Sequence, residues 1–295
     1  MRVTFNQVRD GLTAINTASE QFADAQWQVS TGLRVRQPSD DPVAAQRAIN
    51  DQASLDEIDA YKGVSDSASS RLVAMDSALG NVVEKIQEAL VALQSSQGST
   101  ATQTVRDAAA TTFDGVRAAL LADINTTFGG THLFSGTNSD QPAYARVAGS
   151  WTYQGSNAPM SVGISEGRSV AITMDGQAII QGSDPQDLLS LVDSLATAAR
   201  TNDAATLAAG ITALNSAMGR AARAQSQVGY DETSISDGES RLSNLKLAAT
   251  ARLSEDRDAN MAEALTRMSK AQVTYESALA AVAKSSKMSL LDYLK

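Results

Sequence analysis

The sequence predicts a mainly α protein: long antiparallel coiled-coil helices contributed by both chain ends, with a small antiparallel β domain inserted between them. Three observations carry this. Both ends show apolar residues at heptad spacing. The five prolines leave residues 43 to 141 and 186 to 295 uninterrupted. Nine of the 19 glycines fall between residues 129 and 182, and three prolines between 142 and 185, marking a central segment of a different kind. Fifty alanines and only 13 aromatic residues among 295 favour long, thin helices over a thick core.

At the start, Phe5, Val8, Leu12, Ile15, Ser19, Phe22, Gln26, Val29 and Leu33 alternate steps of three and four. The far end repeats the rhythm in Met261, Leu265, Met268, Gln272, Tyr275, Leu279, Val282, Ser286 and Ser289. A 3.5-residue period keeps such a stripe facing one partner, so the apolar members of both sets are the expected assembly seam. If the intervening chain folds back, the two end helices run antiparallel.

Asp41 before Pro42 reads as an N-cap followed by an N1 proline, and Asp184 before Pro185 repeats the device, with Asp187 adding charge in the first turn. The stripe Ala68, Leu72, Met75, Leu79, Val82, Ile86, Leu90, Leu93 predicts a helix ending near Gln94. Residues 95 to 102, rich in Ser, Thr and Gly, predict a turn, and Val105, Ala109, Phe113, Val116 and Leu120 a returning helix. Strands are expected at 151–154, 160–165, 168–174 and 177–180. Leu188, Leu189, Val192 and Leu195, then Leu207, Ile211, Leu214 and Met218, predict further helix. The expected domains are 1–41 with 256–295 as terminal coiled coil, 42–136 with 185–255 as inner bundle, and 137–184 as a separable β domain.

Composition bears on function. Without cysteine there is no disulfide, thiolate nucleophile or zinc-thiolate site, and one histidine cannot form a His-rich metal cluster. A net charge of −9 argues against nucleic-acid binding, which needs a basic face. No signal peptide or membrane span is expected, and no enzyme, metal or cofactor. Asp256, Asp258 and Asn260 resemble the opening of a calcium loop, but Met261 stands where glycine is needed and Arg267 where a bidentate glutamate is needed. A charged coiled-coil face is the better reading. His132 is expected to pack, since no acid–base constellation surrounds it. Asn125, Thr126 and Thr127 form a sequon without functional weight. Trp27 suits either a flank of the coiled coil or, preferably, an anchor for a neighbouring subunit.

Residues 30 to 45, STGLRVRQPSDDPVAA, resemble a segment of the flagellin superfamily in which a Gly-x-Arg turn leads through Ser-Asp-Asp-Pro into a long helix. Asp40-Asp41-Pro42 resembles the hook-associated branch of that family. So do Leu133-Phe-Ser-Gly136, preceded by Asn125, Gly129 and Gly130, then Trp151, Tyr153, Gln154 and Gly155, and the ending Ser289 to Leu294. His132 and Tyr230 depart from the family pattern. The resemblance implies a non-enzymatic extracellular building block of the bacterial flagellum, exported by the type III apparatus with a chaperone and without signal cleavage. It implies self-assembly into a short tubular segment between hook-associated protein 1 and flagellin. A filament subunit, or a helical secretion chaperone or binding module, are the alternatives.

Overall fold

A computed structural model describes the backbone of residues 2–98 and 101–293 and the side chains of 9–98 and 101–284. Phe5, Val8, Ser286 and Ser289 of the predicted stripes, and the 289–294 ending, therefore lie outside the described side chains. Contacts divide the chain into two compact units, residues 1–57 with 245–295, and residues 58–244, the boundaries falling inside two long helices.

Among the described residues seven helices make up most of the structure: α1 (Arg2–Thr31), α2 (Pro42–Ser96), α3 (Gln103–Ile124), α4 (Gly176–Ile180), α5 (Leu188–Thr201), α6 (Ala204–Arg257) and α7 (Met261–Tyr293). Three two-stranded antiparallel sheets lie between α3 and α4: β1 (Thr127–Phe128) with β2 (Thr131–His132), β3 (Tyr144–Val147) with β4 (Ser150–Tyr153), and β5 (Ser161–Ser165) with β6 (Arg168–Ala171). The observed fold is thus the predicted mainly helical one with a small antiparallel β insertion.

In the 58–244 unit one apolar cluster joins all these parts. Leu72, Leu79 and Ile86 of α2, Phe113 and Leu120 of α3, Val192 and Leu195 of α5, and Leu214 and Val228 of α6 are fully buried in it. The hairpins contribute Tyr144, Ile164 and Val170 to the same cluster. The β segment thus shares its burial with the helices around it.

Other local differences have clear causes. Residues 177–180, expected as strand, form α4, because the Asp175 carboxylate accepts from the Gln177 backbone N–H at 2.8 Å and starts a helical turn. Asp184 does not cap α5; its carboxylate pairs with the buried Arg220, whose guanidinium also donates to the carbonyls of Ile179 and Ile180 at 3.1 Å. The cap is Asp187, accepting from Ser190 N at 2.8 Å. Asn202, in the left-handed conformation at φ 57°, ends α5. The β3–β4 hairpin turns through Ala148 and Gly149, both at positive φ, as a two-residue type I′ loop requires.

The central glycine motif is structural. A Cβ on Gly136 would stand 1.9 Å from the Ser156 carbonyl oxygen, and its φ is +57°, so no other residue fits. Leu133 and Phe134 are fully buried beside it, and the Ser135 hydroxyl donates to Gln141 O at 2.8 Å. Asn125 locks the region by donating to Tyr144 O and accepting from Tyr144 N, both at 2.9 Å. The His132 ring nitrogen Nδ1 lies 2.9 Å from Asn125 O, a packing role.

Candidate functional site

The chain's two ends meet in the unit formed by residues 1–57 and 245–295, where α1 packs along α7. The residues that turn toward the partner helix are, on α1, Gly11, Ile15, Ala18, Phe22, Ala25 and Val29, and on α7, Ala264, Met268, Ala271, Tyr275, Ala278 and Val282. Both sets alternate a small residue with a large one at steps of four and three. Gly11 sits against Val282, a Cβ there falling 2.7 Å from Cγ2, and the rings of Phe22 and Tyr275 stack with centroids 6.4 Å apart and planes within 4°. Equal rise in two antiparallel helices carries this register along, setting Ala18 beside Tyr275, Phe22 beside Ala271, Ala25 beside Met268 and Val29 beside Ala264. Small residues on one helix thus receive large ones from the other, which lets the axes approach closely.

The predicted stripe and this seam share the larger residues and part at the rest. Ile15, Phe22, Val29, Met268, Tyr275 and Val282 belong to the seam of the pair, and Leu33 is half-buried in the loop after α1, its backbone bridged to Asp258. Leu12, Leu265 and Leu279 instead remain 53%, 47% and 41% exposed, and Met261 is exposed as well. Each of these leucines follows a small seam residue by one position. In an antiparallel pair the positions directly after the small seam residues of both helices flank the same face, so Leu12, Leu265 and Leu279 line one edge of the two-helix ribbon. A contact pattern based on apolar side chains overlooks Gly11, Ala18, Ala25, Ala264, Ala271 and Ala278; seven-residue spacing of small residues is the signal that finds them.

Beyond α1 the residues 32–41 close a polar clasp. Gly32, at φ +72°, ends α1, and its carbonyl accepts from Ala259 N at 2.8 Å, while Arg34 N donates to Arg257 O at 2.7 Å. The Arg34 guanidinium donates to the Asp41 carboxylate at 2.9 Å and to Asp256 O at 2.7 Å, tying the two chain ends across 222 residues. Asp40 accepts from the backbone N–H groups of Gln37 and Arg36 at 2.9 and 3.0 Å. Asp41 caps α2 by accepting from Ala44 N at 3.0 Å. These bonds hold both carboxyls below their ordinary value, that of Asp40 chiefly through the Gln37 amide, that of Asp41 chiefly through the Ala44 amide and then Arg34.

The residues read as a partial calcium loop are all engaged in this clasp. Asp256 pairs with Arg47 at 3.3 Å, Asp258 accepts from the Ser254 hydroxyl, and Asn260 caps α7 by accepting from Ala262 N at 3.1 Å. Among the described residues no group of three or more His, Cys, Asp or Glu is placed to hold a metal, and no helix is long and apolar enough to cross a membrane. Trp27 is half-buried, with the Arg36 guanidinium 5.7 Å from its ring centroid.

Two family models match the chain: the bacterial flagellin N-terminal helical region over residues 7–139 and the bacterial flagellin C-terminal helical region over residues 211–294. The chain is similar to flagellar hook-associated protein 3 of Escherichia coli K12, 29% identical over 163 residues, covering 53% of this chain and 51% of that one. Its similarity to flagellar hook-associated protein 3 of Salmonella typhimurium LT2 is 25% identity over 181 residues, 61% of this chain and 56% of that one. The chain thus spans about half the length of the curated relatives it matches. A solved flagellar hook-associated protein from Vibrio parahaemolyticus shares the fold at TM-score 0.71 and 20% identity, over 74% of this chain and all of that one.

Proposed function

Because the chain belongs to the flagellin superfamily, we propose that it is a structural, non-enzymatic subunit of the bacterial flagellum, building the zone between hook and filament by helical self-assembly. Both curated relatives are hook-associated proteins, which supports this reading over a filament subunit. The observation that carries it is the edge of Leu12, Leu265 and Leu279, left uncovered by the α1–α7 pair. Apolar surface of this kind is stabilised by burial against a neighbour, and repeated head-to-tail contacts between identical subunits grow a tube when the rotation does not close.

In this reading the neighbours are further copies of the chain, hook-associated protein 1 on one side and flagellin on the other. The chain reaches the exterior through the flagellar type III export apparatus with its chaperone, without a cleaved signal peptide. It takes no cofactor, does not bind nucleic acid and does not insert into a membrane. The test is a strain lacking the gene: hooks without filaments, together with secreted unassembled flagellin, are expected. Normal filaments on such cells would overturn the proposal, and hooks without filaments but also without secreted flagellin would point to an export factor instead.

A further inference from the structure

The 32–41 loop and the first turns of α2 enclose a groove of about 480 Å³ that no part of the 1–57/245–295 unit fills. Pro38, Ala45, Ala48 and Ile49 line it, and Ile49 is 58% exposed. Arg36, Arg257 and Asp56 also line it, the Asp56 carboxylate accepting from the Gln52 amide at 2.9 Å. Among the described residues Arg257 has no ion pair, and Arg36 meets Asp24 only at 3.7 Å. Arg36 also lies over the Trp27 ring, so Arg257 is the cation left to a partner, and an apolar floor beside it suits an apolar knob flanked by a carboxylate.

The same unit carries such a knob elsewhere. The register that sets Gly11 against Val282 brings Leu12 and Leu279 within a turn of each other on one face of the α1–α7 ribbon. Glu276 stands one turn before Leu279, exposed, and among the described residues accepts from the Gln272 amide at 3.1 Å. Leu279 lies 18 residues into α7, roughly 27 Å from its start, and Leu12 is about as far from the end of α1, so neither reaches the groove of its own chain. Charge also favours this choice of surface: at net −9 two copies repel, and Arg257 is where an acidic edge is accepted.

We propose that the groove receives the Leu12–Leu279 edge of a second copy, with Glu276 of that copy against Arg257. This rests on the self-assembly reading above and names the surfaces that would perform it. Groove and edge are different surfaces of one chain, so the contact is heterologous and propagates rather than closing as a two-fold dimer.

The absence of cysteine makes the test direct. Flagella are isolated from cells whose only copy carries Ile49→Cys together with Leu279→Cys, then oxidised and run on a non-reducing gel. A disulfide needs Cα atoms within roughly 7 Å, so only apposed residues respond. A ladder of oligomers is expected, lost on reduction, with no dimer from either single variant. Normal filaments with no ladder, or a dimer from one single variant, would overturn the groove contact while leaving the junction reading standing. A second measurement covers a cysteine pair that fails to assemble. Arg257→Glu is expected to abolish filament attachment and Glu276→Arg in the same chain to restore it; no restoration overturns the contact. Filaments on cells lacking the gene altogether would overturn the junction reading and this contact with it.

Discussion

In the 58–244 unit the most buried side chains are bulky: Phe113, Leu79, Leu120 and Ile86 have no exposed surface. In the α1–α7 pair the buried residues among those described are Ala18, Ala25 and Ala264, and the larger Ile15, Phe22, Met268 and Tyr275 keep part of their surface exposed. The first region draws its stability from five helices and three hairpins around one cluster, the second from two helices that approach closely but enclose little. Close approach without bulk specifies a register at small gain in buried area, which leaves such a pair dependent on further contacts.

The largest expected effect is in the inner unit. Phe113→Ala should cost about 3–5 kcal/mol, measured by denaturant unfolding of the purified protein, because a wholly buried ring leaves a cavity that the helices around it cannot close. A cost under about 1 kcal/mol would show that this core is no better packed than the terminal pair. Next comes Gly11→Val, which forces a side chain onto Val282 and should cost about 1–3 kcal/mol, confined to the α1–α7 pair. Amide exchange should accelerate in α1 and α7 and stay unchanged in α3 and α5.

Acid should separate the regions more gently. Asp40 and Asp41 have carboxyls lowered in the folded chain, so their contribution is complete above the ordinary aspartate value of 3.8 and disappears as pH falls through the lower folded values. Protection of the Gln37 and Ala44 amides should decline over that acidic range while the inner cluster, held by apolar contact, keeps its own. Retained protection at both amides through that range would mean the loop is not held by these carboxylates. The smallest effect on the isolated chain is expected for Leu265→Asp, since a residue 47% exposed leaves the new carboxylate free to reach solvent. Circular dichroism and the unfolding midpoint should not move, yet cells carrying the variant should lack attached filaments. Normal filaments would remove Leu265 from the assembly surface.

The helices were legible because their cores repeat. The stripe from Ala68 to Leu93 predicted α2 and reaches its last turn, three residues before its end at Ser96. At the chain ends the pattern contained Ile15, Phe22, Tyr275 and Val282, yet hydropathy alone placed Leu12 and Leu279 opposite a partner that turned out to face Gly11 and Ala278. An alanine or glycine contributes little apolar signal even where its smallness decides the contact. The clasp was recognisable as the Gly-x-Arg to Asp-Asp-Pro motif, but its physical content was not. Arg34 reaches Asp256 O only because the fold brings residues 222 apart in sequence together, and no local pattern encodes that. The same holds for Asp184, whose place before a proline suggested a cap while a buried arginine 36 residues on claimed its carboxylate.

That long-range bond has a consequence in time. Residues joined across 222 positions close one of the largest loops this chain can form, and the entropy of closure must be met before the contact returns anything. Local helices and the α2–α3 and α5–α6 turns form within short stretches, so they precede it. During synthesis α1 emerges first and α7 last, and for nearly the whole of that interval α1 has no partner to close upon. The α1–α7 pair and its clasp can therefore form only once α7 has been made, after the inner helices are already in place.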